Sequence, residues 1–261
     1  MSNENDTSDR ETARKELFNA LKYCELSKGE PGWTHTSLGR YKRSYEIIDD
    51  LDGMIDKYVN YVIRHNARDV GLTERQRKFF PVLGDVDLRY ETTCEGRMHN
   101  ESHIITVLRE HYMQIRHYID VDTLPYVHVI VTEKSSAVHE RNRVKDGWHY
   151  MFPDIICTKA VQLKMRDNAV IELNKQKALF KKKIDENQFI DDIPLINETD
   201  IALDPDFEDI LDRAVITKNP WMMYGSCKEN KEPYLLKYVY EITENTDENG
   251  DVTIHFNSMP L

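Results

Sequence analysis

The stretch FFPVLGDVDLRYET, residues 79–92, constrains the fold more than any other part of the chain. It has the composition of a buried strand, yet Asp85 and Asp87 interrupt it. Residues two apart on a strand point to the same face, so the two carboxylates would stand side by side. Like charges that close repel, and a divalent cation between them relieves the repulsion; hard oxygen ligands suit Mg²⁺ or Mn²⁺. Gly84, just before the pair, would let another group approach the backbone closely. A strand DxD also occurs as a solvated edge or a helix-cap pair, so its meaning depends on the residues that accompany it.

The surrounding pattern alternates helix and strand. Ile47, Ile48, Leu51, Ile55, Tyr58, Val59 and Val62 recur at helical spacing and predict an amphipathic helix from Tyr45 to Ile63. After the strand at 80–90, a second helix is predicted from Ile104, Val107, Leu108, Ile115, Tyr118 and Ile119, then a strand at YVHVIVTEK, residues 126–134. DGWHYMFPD reads as a strand entering a turn at Pro153, followed by a long helix from Thr158 to Phe180. YLLKYVYEIT and DVTIHFN flank an Asn249-Gly250 turn and predict a C-terminal hairpin. The first ten residues are polar and acidic, without apolar periodicity, and read as a frayed tail. Residues 185–206 are acidic with two prolines and read as a loop or insertion within a domain over 11–261. The ending FNSMPL follows an apolar strand directly, which reads as a cut in a longer polypeptide.

Charge narrows the partners. The formal net charge of −11 opposes a polyanionic partner for the chain as a whole. Between Glu133 and Lys183, however, twelve basic residues face six acidic ones, a local excess of six. A basic face on an acidic protein is compatible with nucleic acid, although the KKK at 181–183 also reads as a solvated helix end. No apolar run approaches the ~20 residues needed to span a bilayer, and the start lacks a signal-peptide layout; a soluble, non-secreted protein without a membrane partner is expected. Cys24, Cys94, Cys157 and Cys227 lack CxxC spacing and fit reduced thiols.

Two further segments supply what a cation-dependent phosphate site needs. KDGWHYMFP places His149 in a strand-like context four residues after Lys145. ILDRAVITKNPWMMYGSCK supplies Asp212, then Tyr224, Gly225, Ser226 and Lys228. A short turn with Gly, Ser and Lys can hold phosphate oxygens through backbone N–H groups, a hydroxyl and an ammonium; it lacks the spacing of a Walker A loop. Cys94, His99 and His103, with His111 nearby, have spacing a zinc site could use, but a fourth ligand is not evident and His103 falls on a helix start. No structural zinc is expected.

Hydrophobic-Asp-hydrophobic-Asp, then x-x-His, then a third Asp resembles the archaeo-eukaryotic primase superfamily. VDLRY, TEK followed by KDGWHYMFP, and LDRAVITKN running into MYGSCK look like the primase domain of the primase-helicases of large DNA viruses. AVITKN…YGSCK is also similar to the third motif of eukaryotic primase-polymerases. The resemblance runs from about Trp33 to the end. It implies that Asp85, Asp87 and Asp212 bind two divalent cations, Mg or Mn, and that His149 contacts the phosphates of the incoming nucleotide. It also implies that Ser226 and Lys228 touch the triphosphate or sugar. Gly147 departs from the family's Ser-x-His, for which the backbone N–H and Lys145 offer compensation. Met222 departs from an Arg of the primase-polymerases, which bears on nucleotide affinity or sugar selectivity.

The expected function is template-directed synthesis of short primers on single-stranded DNA from nucleoside triphosphates, with some capacity for extension. The alternatives are a primase-like module that holds single-stranded DNA or recruits partners, and a two-metal nuclease. Template contacts are expected from Lys159, Lys164 and Arg166, with Trp148 or Trp221 stacking a base. The expected fold is α+β: a small mixed or antiparallel sheet carrying Asp85, Asp87, His149 and Asp212 on one face, helices behind. The resemblance implies an RRM-like catalytic core with an N-terminal αβ unit, a helicase domain or subunit as partner, and an intracellular site of action, host cytoplasm or viral replication site. The chain itself has no ATPase P-loop.

Overall fold

The computed structural model describes residues 2–39, 42–90, 92–185 and 206–261. The acidic insertion expected at 185–206 lies, from 186 to 205, outside them. The chain divides into two compact units, residues 1–77 with 219–235, and 78–218 with 236–261.

The first unit opens with helix α1, Ser2–Tyr23. Where the sequence suggested a tail, helix begins at Ser2; Ala13, Leu17 and Leu21, four apart, are buried and anchor it. The unit's sheet is built from short strands: β1 (His35–Ser37), β2 (Ser44–Tyr45), β3 (Leu72–Glu74) and β8 (Trp221–Met222), in the order β2-β1-β3-β8. The helix expected over Tyr45–Ile63 starts later, because Tyr45 pairs with His35 in the sheet. Helix α2, Leu51–Tyr58, begins at Asp50, whose carboxylate accepts the Gly53 N–H, and it continues as a π-helical turn over Val59–Arg64.

The second unit is built on a six-stranded antiparallel sheet. Strand β4 (Phe79–Tyr90) leads through helix α3 (Glu101–Tyr118) to β5 (His128–Glu133). The short β6 (Val138–Glu140) and the long β7 (Arg143–Thr158) follow, then helix α4 (Lys159–Asp185). Two helices of four residues, α5 (Phe207–Ile210) and α6 (Ala214–Thr217), precede β9 (Leu235–Thr246) and β10 (Val252–Ser258). The strand order is β10-β9-β5-β7-β4, with β6 paired to β7. The C-terminal hairpin forms as its turn residues dictate: Asp247 accepts from the Asn249 and Asp251 backbone N–H groups, and Gly250 takes φ 87°.

One expectation fails on β7, which runs through Pro153 without turning. The ladder slips there: Val82 faces Phe152 but Pro81 faces Ile156, so residues 153–155 have no partner on β4. A bulge is where a strand tolerates a residue without an N–H. Val82, Val86, Leu88, Trp148, Tyr150 and Phe152 form one core with Ile104, Leu108 and Ile115 of α3 and Met165 and Leu173 of α4. The helices therefore back one face of the sheet and leave the face bearing Asp85 and Asp87 outside the core.

Candidate active site

The register of β4 on β7 assembles the polar face. Asp85 lies opposite His149, Asp87 opposite Gly147 and Arg89 opposite Lys145, while Thr132 of β5 lies across from His149. His149 Nε2 is 3.4 Å from Asp85 Oδ1. Lys145 Nζ donates to Asp87 at 3.0 Å, and Arg89 stands 3.6 Å from the same carboxylate. Gly84 does admit a close neighbour, the Tyr150 ring, on the core side: a Cβ there would meet ring atoms at 2.0 Å.

Gly147 is fixed by the backbone. Its φ of +142° is costly for any side chain, and a Cβ would lie 1.8 Å from the Val86 carbonyl oxygen. The missing Ser of Ser-x-His is thus a steric requirement of this β4–β7 pairing.

The third carboxylate arrives from outside the sheet, a correction to its expected place on the strand face. Leu211 bridges to Val86 at the free edge of β4, and the Asp212 N–H donates to the Asp85 carbonyl at 2.8 Å. One Asp212 oxygen accepts the Ala214 N–H at 2.8 Å. The three acids share an electrostatic environment: burial, then Asp87 and Asp212, push the Asp85 carboxyl up to about 8, with Lys145 and Lys134 opposing. Asp85 Oδ1 is buried and has no hydrogen-bond partner among the described residues.

A buried carboxylate oxygen that accepts no hydrogen bond, beside two other acids, has the donor chemistry of a hard-cation site. Asp85, Asp87 and Asp212 are the residues that would hold such ions. Their present arrangement is not a finished cage: among the described residues no group of three or more His, Cys, Asp or Glu is gathered closely enough to hold a metal ion. Lys145 and Arg89 neutralise Asp87 instead.

Several other expected site residues have different surroundings. Trp148 is 2 % exposed and packs on His99 with ring centroids 4.8 Å apart, so it belongs to the core and cannot stack a base on the surface. Arg166, 1 % exposed, is likewise removed from any template; it donates to the Leu211 and Glu208 carbonyls and pairs with the Glu208 and Asp167 carboxylates. Lys164 is exposed, and Lys159 donates to the Thr217 carbonyl.

Ser226 and Lys228 belong to the first unit. Ser226 is 3 % exposed; its hydroxyl accepts the Leu72 N–H and shares a 2.7 Å hydrogen bond with the Tyr58 hydroxyl. In this structure that hydroxyl therefore serves the fold of its own loop, a correction to its expected contact with a triphosphate or sugar, whereas Lys228 is exposed.

The histidines of the zinc-like spacing have other partners. His99 bridges Glu133 and Asp146, His103 Nδ1 accepts the Asn100 N–H to cap α3, and His111 Nδ1 meets the Tyr150 hydroxyl. Arg97 completes a buried ionic group with Glu133 and Asp146 behind the polar face. The sequence reading missed this group because Glu133 and Asp146 passed as ordinary surface charge. It also missed Gln162, whose only sequence signal is an amide on the buried face of α4.

Residues 34–240 match the family model described as the C962R protein N-terminal AEP domain, AEP denoting archaeo-eukaryotic primase. The chain belongs to this family. It is 28% identical over 219 residues, 82% of its length, to "Putative helicase L207/L206" of Acanthamoeba polyphaga mimivirus, and it covers 20% of that protein. It is 24% identical over 235 residues, 86% of its length, to "Putative helicase 121R" of Invertebrate iridescent virus 3, covering 23%. The chain thus spans about a fifth of the length of these curated relatives. Among the described residues no helix is long and apolar enough to cross a membrane.

Proposed function

We propose that this chain is a primase domain: a nucleotidyltransferase that makes short primers on single-stranded DNA from nucleoside triphosphates and can extend them. The observation that carries the reading is the gathering of Asp85, whose buried Oδ1 accepts no hydrogen bond among the described residues, with Asp87 and Asp212 in an AEP-family chain. Bound Mg²⁺ or Mn²⁺ ions would lower the charge on the attacking 3′-oxygen and on the leaving pyrophosphate. The chain's own part is electrostatic and positional. Asp85, Asp87 and Asp212 bring three carboxyl groups to one place, Asp85 giving up its proton as a cation binds. In this reading the His149 ring, opposite Asp85, and the Lys145 ammonium, which donates to Asp87, turn to triphosphate oxygens when nucleotide binds.

The succession β4, α3, β5, β7, α4, β9 supports an RRM-like description of the second unit, with one departure: β9 pairs beside β5, and β4 keeps an edge that Leu211 and Asp212 take. Exposed Lys159 and Lys164 are the template contacts retained in this reading. The naming of both viral relatives as helicases supports a helicase region or partner acting on the same DNA.

A binding module without turnover is the second reading. It is favoured by the absence, among the described residues, of a ready metal cluster and by the ion pairing of Asp87 with Lys145. Incorporation of labelled nucleotides on a single-stranded template with Mg²⁺ or Mn²⁺ separates the two. The primase reading expects short, metal-dependent products that vanish in Asp85→Ala/Asp87→Ala. Template binding that needs no metal, with no products from the unaltered chain, would establish the module instead.

A further inference from the structure

Helix α4 carries two buried polar side chains one turn apart, Gln162 at 0 % exposure and Arg166 at 1 %. Buried polar groups are costly unless bonded, and these bond to the two chain segments that bear the acids. Gln162 Nε2 donates to the Phe80 and Pro81 carbonyls at 3.1 and 2.9 Å, and its Oε1 accepts the Leu83 N–H at 3.3 Å. Those backbone groups flank the register shift between Pro81 and Val82, where the β4–β7 ladder slips shortly before Asp85. Arg166 Nε donates to the Leu211 carbonyl at 3.0 Å and Nη2 to the Glu208 carbonyl at 2.8 Å. Leu211 is the residue that bridges to Val86, and the next N–H, that of Asp212, reaches the Asp85 carbonyl.

We infer that Gln162 and Arg166 are positioning residues: through them one helix holds the Asp85 strand and the Asp212 segment at a fixed spacing. Neither touches the reacting groups; each acts through the backbone of an acid-bearing segment. A buried guanidinium is a poor way to gain stability, since an apolar side chain of similar volume packs as well, whereas fixing one arrangement over others is a role such groups do fill. Cation binding by the three acids rests on the primase reading above; the latch itself rests on the hydrogen bonds.

The test compares the unaltered chain with Arg166→Met, Gln162→Leu, Asp212→Asn and the Arg166→Met/Asp212→Asn pair, using amide hydrogen exchange and Mn²⁺ binding. Arg166→Met is expected to speed exchange of the Asp212 amide at least about tenfold while the β4–β7 ladder stays protected. It should weaken Mn²⁺ binding about 10–100-fold, the usual cost of losing an outer partner of a metal ligand, and add nothing to the loss in Asp212→Asn. Gln162→Leu should expose the Leu83 amide in the same way. An Asp212 amide as protected in Arg166→Met as in the unaltered chain would overturn the inference, as would lost protection with unchanged Mn²⁺ affinity. If the unaltered chain binds no Mn²⁺, the cation reading falls and the exchange data alone decide the latch. Should Arg166→Met fail to fold, Arg166→Lys carries the same expectation, because one ammonium cannot span Leu211 and Glu208 together.

Discussion

Asp85 is where local physics and chemistry meet. Its carboxyl is lifted from 3.8 to about 8 by burial first and by Asp87 and Asp212 second. A carboxyl whose folded value exceeds its unfolded one favours the fold fully below the unfolded value, and that contribution is lost as pH rises through the folded one. In a chelator, the chain should therefore lose stability between about pH 4 and pH 8. Asp85→Asn should remove this loss, so that its melting temperature relative to the unaltered chain rises by roughly 5–10 °C between pH 5 and pH 8.5, since each pKa unit is worth about 1.4 kcal/mol; scanning calorimetry at the two pH values checks it. Gly147 gives a second prediction. Gly147→Ser restores the family's residue but forces a Cβ against the Val86 carbonyl at positive φ. It should lower the melting temperature by about 5 °C or more rather than improve activity, because strained conformations of this kind cost of order 1–3 kcal/mol. The sequence marked Gly147 as a departure; only the register showed why it cannot be otherwise.

Among the elements, those long enough to express a period were legible. The strand expected at 80–90 is β4, Phe79–Tyr90; the helix read from Ile104 onward is α3; and the Asn-Gly hairpin formed where its turn chemistry placed it. The first unit's sheet was not legible, since strands of two or three residues carry no alternation to detect. Its closing strand, β8, comes from residues 221–222, far from the rest in sequence. Pro153 was read as a turn because proline usually ends a ladder, and the bulge that accommodates it depends on the partner strand. The loop following β8 yields a further prediction. Ser226→Ala leaves the buried Leu72 N–H without its partner, at about 1–3 kcal/mol, while the Tyr58 hydroxyl keeps the Tyr224 carbonyl. Urea unfolding should show a lower midpoint, whereas Lys228→Ala, at an exposed position, should leave it unchanged.

For the whole molecule, family membership and the side-by-side placement of two acids on one strand were readable from DVD and its accompanying words, whereas Asp212 comes beside Asp85 from an element the sequence did not suggest. What the sequence could not express is that α4, read as a basic template-tracking helix, turns Gln162 and Arg166 inward to grip both acidic segments. In the proposed function the Asp85–Asp87–Asp212 face is a divalent-cation site that a proton contests. Mn²⁺ binding, followed by electron paramagnetic resonance between pH 6 and 9, is the decisive measurement. Binding should strengthen about tenfold per pH unit up to about pH 8, level above it, and disappear in Asp85→Asn. Binding of equal strength in the unaltered chain and in Asp85→Asn at every pH would contradict that proposal.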